Sequence, residues 1–155
     1  MSDTITDRIT EKVLLRVPRS RVWNAIADSG EFGRWFGVQG LGDFHPGATV
    51  QGKITHKGYE HVTWEATVGW MDPGRLFSFR WHPYAVAPDL DYSGEPTTLV
   101  VFELEDDPNG TLLTVVESGF DGIPESRRAK AYEMHKQGWA GQMKSIAEYL
   151  VKKAA

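Results

Sequence analysis

The chain has 155 residues, 41% of them apolar and 25% charged, with a formal net charge of −4. That composition fits one globular domain spanning residues 1–155, gives no global pull toward nucleic acid, and, with no cysteine, excludes disulfides, thiol catalysis and cysteine-ligated metal. No apolar run is long enough to span a membrane, and the polar first ten residues predict no export signal, so the expected compartment is the cytoplasm.

Residues 8–17 alternate, with Ile9, Val13, Leu15 and Val17 on one face, and predict a strand that Pro18 ends. Ser20 is placed to cap a short helix through Ala27 that buries Val22 and Ile26. Asp28-Ser29-Gly30 breaks that helix, and a second one, Glu31 to Phe36, ends in the aromatic pair Trp35–Phe36. Residues 37–47 are glycine-rich and read as irregular.

Five strands are predicted next, over 48–56, 59–71, 76–82, 97–105 and 111–119. In the second of these Val62, Trp64, Ala66, Val68 and Trp70 share a face; in the third, Phe77, Phe79 and Trp81 do; in the fourth, Val100, Phe102 and Leu104; in the fifth, Leu113, Val115 and Glu117. A proline-punctuated loop fills 82–96. The chain then closes on a long helix, 124–153, whose Tyr132, Trp139, Met143, Ile146 and Leu150 fall on one narrow stripe at 100° per residue. Gly138 and Gly141 lie opposite that stripe, where a partner surface such as a homodimer, local softness or a tolerated neutral cost are three open readings. Strand, two short helices, five antiparallel strands and one long helix make an α+β domain.

Several local signatures sit in an order that resembles a known family. They are Val17-Pro18 followed by Val22-Trp23 and Ala25; Arg34-Trp35-Phe36; Asp72-Pro73 with Arg75-Leu76 before an aromatic strand; Gly110-Thr111 entering a strand that ends in Ser118-Gly119-Phe120; and Gly138-Trp139 in the last helix. Together they resemble the SRPBCC (START/Bet v 1-like) superfamily, and within it the family named after the activator of the heat-shock-protein-90 ATPase. The resemblance implies a helix-grip fold, in which a curved six-stranded antiparallel sheet wraps the C-terminal helix around a cavity.

The expected function is that of a small module binding a hydrophobic or aromatic molecule between sheet and helix, without a cofactor. The expected ligand-binding residues are Trp35, Phe36, Trp64, Phe79, Trp81, Phe102, Glu117, Tyr132, His135, Trp139 and Met143, with Trp35, Phe36 and the 82–96 loop at the entrance. The competing reading is that the aromatic faces, Trp70 included, simply fill the core, since each large apolar side chain contributes roughly 1.5–3 kcal/mol on burial.

Glu117 is expected either to point inward as a ligand-orienting group or general base with a raised pKa, or to sit at a rim paired with Arg127 or Arg128. His135 lies at the edge of the apolar stripe, one turn before Trp139, and either binds a ligand or marks an ordinary helix boundary. His45, His56, His61 and His82 are scattered, so no metal site is expected. Neither a phosphate loop nor a nucleophile elbow occurs. Two further functions follow from the resemblance: a chaperone ATPase activator-like or stress-response module with a chaperone partner, and a polyketide cyclase or aromatase-like enzyme with Glu117 and His135 moving protons.

Overall fold

A computed structural model describes residues 8–58, 60, 62–82 and 96–154, except the side chains of Arg127 and residues 152–154. The chain runs β1 (Arg8–Leu15), α1 (Arg19–Ala27), α2 (Ser29–Phe36), β2 (Val38–Gln39), β3 (Thr49–Ile54), β4 (Thr63–Asp72), β5 (Leu76–Trp81), β6 (Thr98–Asp107), β7 (Gly110–Ser118), a 3-10 turn at Phe120–Gly122, and α3 (Glu125–Ala154). One curved antiparallel sheet holds the strands in the order β1-β7-β6-β5-β4-β3-β2. The α+β helix-grip architecture is the expected one, with one strand more than the sequence suggested. The addition is β2, two residues inside the glycine-rich stretch, paired with Ile54 and Lys53 of β3. A strand that short carries too little alternation to be read.

The sheet zips in sequence order from β2 to β7, and β1 closes it by pairing with β7 from Arg8↔Ser118 to Leu15↔Thr111. Period-2 alternation puts Ile9, Leu15, Val50, Phe77, Phe79, Phe102, Leu113 and Val115 into one core, against Val22 and Ile26 of α1, Phe32 and Trp35 of α2, and Trp139, Met143, Ile146 and Leu150 of α3.

Local sequence sets each helix end. α1 begins one residue before Ser20, at Arg19, and takes Pro18 as its cap without a side-chain hydrogen bond, so Ser20 is not the expected cap. Proline's preset φ makes this start available, and the Pro18 carbonyl accepts from the amides of Arg21 and Val22. α2 starts earlier than expected because Asp28 caps it, accepting from the Glu31 amide at 3.0 Å.

Trp70 departs from its expected face. Between Val68↔Phe79 and Met71↔Phe77 the β4–β5 register shifts, so Gly69 and Trp70 together oppose Ser78. This β-bulge reverses the alternation beyond it, leaving Trp70 65% exposed. The buried Ser78 hydroxyl holds the bulge by accepting from the Trp70 amide at 2.8 Å.

Candidate functional site

Glu117 is fully buried, in line with Leu113 and Val115 on β7, between Val100 of β6 and Ile9 of β1. It does not lie at a rim. Four side chains donate to its carboxylate, divided by the element they come from. Oε1 takes the helix donors, His135 Nδ1 at 2.7 Å and Trp139 Nε1 at 2.8 Å. Oε2 takes the sheet donors, Trp81 Nε1 at 2.7 Å and Thr98 Oγ1 at 2.5 Å. His135 and Trp139 are four residues apart and so share one face of α3. Trp81 and Thr98 are cross-strand partners at the ends of β5 and β6. The carboxylate thereby bolts helix to sheet.

Burial by itself would raise the Glu117 pKa, but the hydrogen bond and charge of His135, with the bonds from Thr98 and Trp81, outweigh it and hold the carboxyl below its ordinary value. This overturns the expectation of a base with a raised pKa. An ionised carboxylate only accepts, so Nδ1 of His135 carries the proton that faces it. An imidazole fixed through Nδ1 by a carboxylate has the arrangement of a proton-transfer dyad, in which the carboxylate orients and the histidine exchanges protons. Arg128 does not pair with Glu117: its guanidinium donates to the carbonyls of Asp121 and Ile123. The Arg127 side chain lies outside the described residues.

Around this polar knot the aromatic side chains touch one another. Trp81 meets Trp139 at 5.8 Å between ring centroids, Phe36 at 6.0 Å and Trp64 at 5.8 Å, and its indole meets the His135 ring at 5.4 Å. Phe79 and Phe102 extend the cluster at 6.1 Å from each other, and Phe102 reaches Trp139 at 5.7 Å. Met143 is buried in the same core. Tyr132 stands apart, against Phe120 with its hydroxyl donating to the Arg8 carbonyl at 3.0 Å. Trp35 and Phe36, expected at an entrance, are buried at 4% and 8% exposure; Trp35 Nε1 donates to the Ala25 carbonyl at 2.8 Å. Most of the loop expected to complete that entrance, residues 83–95, lies outside the described residues, as does His61.

Two participants escaped the sequence reading. Thr98 continues the Val100–Phe102–Leu104 face two residues earlier, so the same alternation, extended back, would have found it. Phe32 stacks on Phe36 at 4.7 Å and lies 5.7 Å from Trp64; its i, i+4 relation to Phe36 was the available signal.

Other groupings are separate from this cluster. A groove of about 470 Å³ between α2 and β2 is lined by Ser29, Gly33, Arg34, Val38 and Leu41 among others, none of them a Glu117 partner. Among the described residues no set of three His, Asp or Glu side chains converges as a metal site would require. No described helix is long and apolar enough to cross a membrane.

The sequence profile of the family described as Activator of Hsp90 ATPase homolog 1-like protein matches residues 16–151. The chain belongs to this family. Among solved structures, this family member is similar to protein MLL2253 from Mesorhizobium loti, with a TM-score of 0.73 and 19% identity over 94% of this chain and 97% of that one. The Aha1 dimer from Colwellia psychrerythraea, solved in solution, matches with a TM-score of 0.66 and 16% identity over 91% and 93% of the two chains. DynU16, a putative protein of the dynemicin biosynthetic locus, matches at 0.69 and 25% identity; the match covers 93% of this chain and 47% of DynU16, so this chain spans about half the length of DynU16. A search of curated proteins finds no match.

Proposed function

We propose that this protein binds a small, planar, predominantly apolar molecule against the aromatic interior between β4–β6 and α3. The observation that carries this reading is the Glu117 knot itself. A buried carboxylate costs several kcal/mol of desolvation even when well paired, and an apolar residue of similar volume often serves stability as well or better. Keeping a charge fully buried there, with two indoles and an imidazole turned onto it, fits an interior arranged for recognition rather than for packing alone.

The indole N–H signals report on this directly, because six tryptophans are distributed between inside and outside. Titration with naphthalene or fluorene, followed by proton–nitrogen correlation spectra, should shift the indole signals of Trp64, Trp81 and Trp139. The exposed Trp70 indole should stay in place. Shifts restricted to Trp70, or none, would remove the reading.

The His135–Glu117 pair favours a second reading, acid–base chemistry on the bound molecule in the manner of cyclase-type catalysis. His135→Gln should then abolish turnover of a carbonyl substrate while the indole shifts on binding persist. Turnover unchanged by that substitution would sink it. Chaperone activation and self-association, the latter suggested by the Colwellia dimer, are tested by an ATPase assay with the chaperone and by sedimentation.

A further inference from the structure

Among the described residues, one buried side-chain donor has no acceptor: Nε1 of Trp64. The residue is 6% exposed and sits near the start of β4, inside a cage of Phe32, Phe36, Phe79 and Trp81 with ring centroids 5.6–5.8 Å from its own. An indole N–H in such surroundings forfeits the hydrogen bond it would make to water, a loss that phenylalanine at the same position would not incur. The other interior indoles are all served: Trp81 and Trp139 by Glu117, and Trp35 by the Ala25 carbonyl. A water would be held poorly at Trp64, since ordered buried waters take two to four polar partners and the four caging rings supply none, the Trp81 N–H being already spent on Glu117.

From this we infer that the ligand of the aromatic interior carries a neutral hydrogen-bond acceptor, a carbonyl or ether oxygen on a planar apolar frame, which Trp64 Nε1 recognises; the inference rests on the ligand-binding reading above. The flat frame contacts the caging rings, and the oxygen takes the orphaned proton. A carboxylate or sulfate head fits less well. One donor would leave most of its lone pairs unmet, and the ionised Glu117, hydrogen-bonded to the Trp81 indole that forms one wall of the cage, repels a second negative charge. A cation, even one held against the ring faces, would leave the Trp64 N–H without an acceptor. The geometry therefore separates aromatic ketones and similar molecules from fatty acids and from plain hydrocarbons.

The test uses a pair differing by one oxygen, 9-fluorenone and fluorene, titrated into the full chain and into Trp64→Phe. The wild type should bind fluorenone roughly tenfold more tightly than fluorene, the scale of one buried hydrogen bond gained. The Trp64 indole proton, assigned by its absence from the variant's spectrum, should move downfield with fluorenone as the hydrogen bond forms, whereas with fluorene it feels only the ring current of the hydrocarbon. In Trp64→Phe the two affinities should converge, while the Trp81 and Trp139 indole signals still shift with both probes and show that the rest of the cage is intact. Equal affinities in the wild type, or a gap that survives Trp64→Phe, would overturn the inference and leave the ligand-binding reading standing. Failure of both probes to move any interior indole would overturn that reading and the inference with it.

Discussion

Glu117 gathers four donors on one buried carboxylate, one oxygen serving the helix and the other the sheet. Replacing it by glutamine keeps the shape but leaves a single accepting oxygen, and turns an NH₂ toward two of the four donors. Breaking a buried charged pair from one side costs roughly 3–5 kcal/mol; with an isosteric amide that still satisfies part of the set, Glu117→Gln should lower unfolding stability by about 3 kcal/mol in urea. The folded-state pKa lies below the ordinary 4.5, so the stabilisation is complete above that pH and is lost as the pH falls through 4.5 toward the folded value. Wild-type stability should therefore decline more steeply than that of Glu117→Gln between about pH 5 and pH 3; parallel declines would show that this carboxylate is not a source of the acid sensitivity. The inward direction of Glu117 was legible, because period-2 alternation alone aligns it with Leu113 and Val115. Its partners were not, since they come from three other elements and no local pattern relates Trp81, Thr98 and His135 across the chain.

Elements with an uninterrupted period were readable and those with a local insertion were not. The apolar stripe of α3 placed Trp139, Met143, Ile146 and Leu150 in the core. In β4 a single extra residue at Gly69–Trp70 undid the alternation, and its cause, the Ser78 hydroxyl on the Trp70 amide, lies in the neighbouring strand where no reading of β4 could find it. The glycines of α3 permit a sharper statement than the sequence allowed. Among the described residues, a Cβ at Gly138 or Gly141 would meet nothing within 4 Å. Neither close packing against the described residues nor backbone geometry calls for glycine there, so Gly138→Ala and Gly141→Ala should each stabilise the fold by about 1 kcal/mol through helix propensity. Thermal denaturation measures this, and a loss of stability at either position would reveal a constraint on α3 that lies outside the contacts of the described residues.

At the scale of the whole molecule, the chain is closed by bringing its first strand against its last. β1 pairs with β7 along its full length, and three contacts secure the seam. Tyr132 of α3 donates to the Arg8 carbonyl where β1 begins; Thr111 donates to the Val17 carbonyl at 2.8 Å just past its end; and the β6–β7 turn presses Gly110 against Leu15. The last contact is the tightest. Gly110 has φ +144°, and a Cβ built on it would lie 2.1 Å from the Leu15 carbonyl oxygen, a backbone atom that cannot rotate away. Gly110→Ala must either strain that turn or push β1 off β7, and each is costly. We expect a loss of about 3 kcal/mol and a melting temperature lowered by roughly 10 °C. Because β7 also carries Glu117, a displaced seam should shift the Trp81 and Trp139 indole signals as well, coupling the closure of the fold to the geometry of the site. A variant with wild-type stability and unmoved indoles would mean that the turn relaxes locally, so that the position of Glu117 is set by β6 and α3 without help from β1.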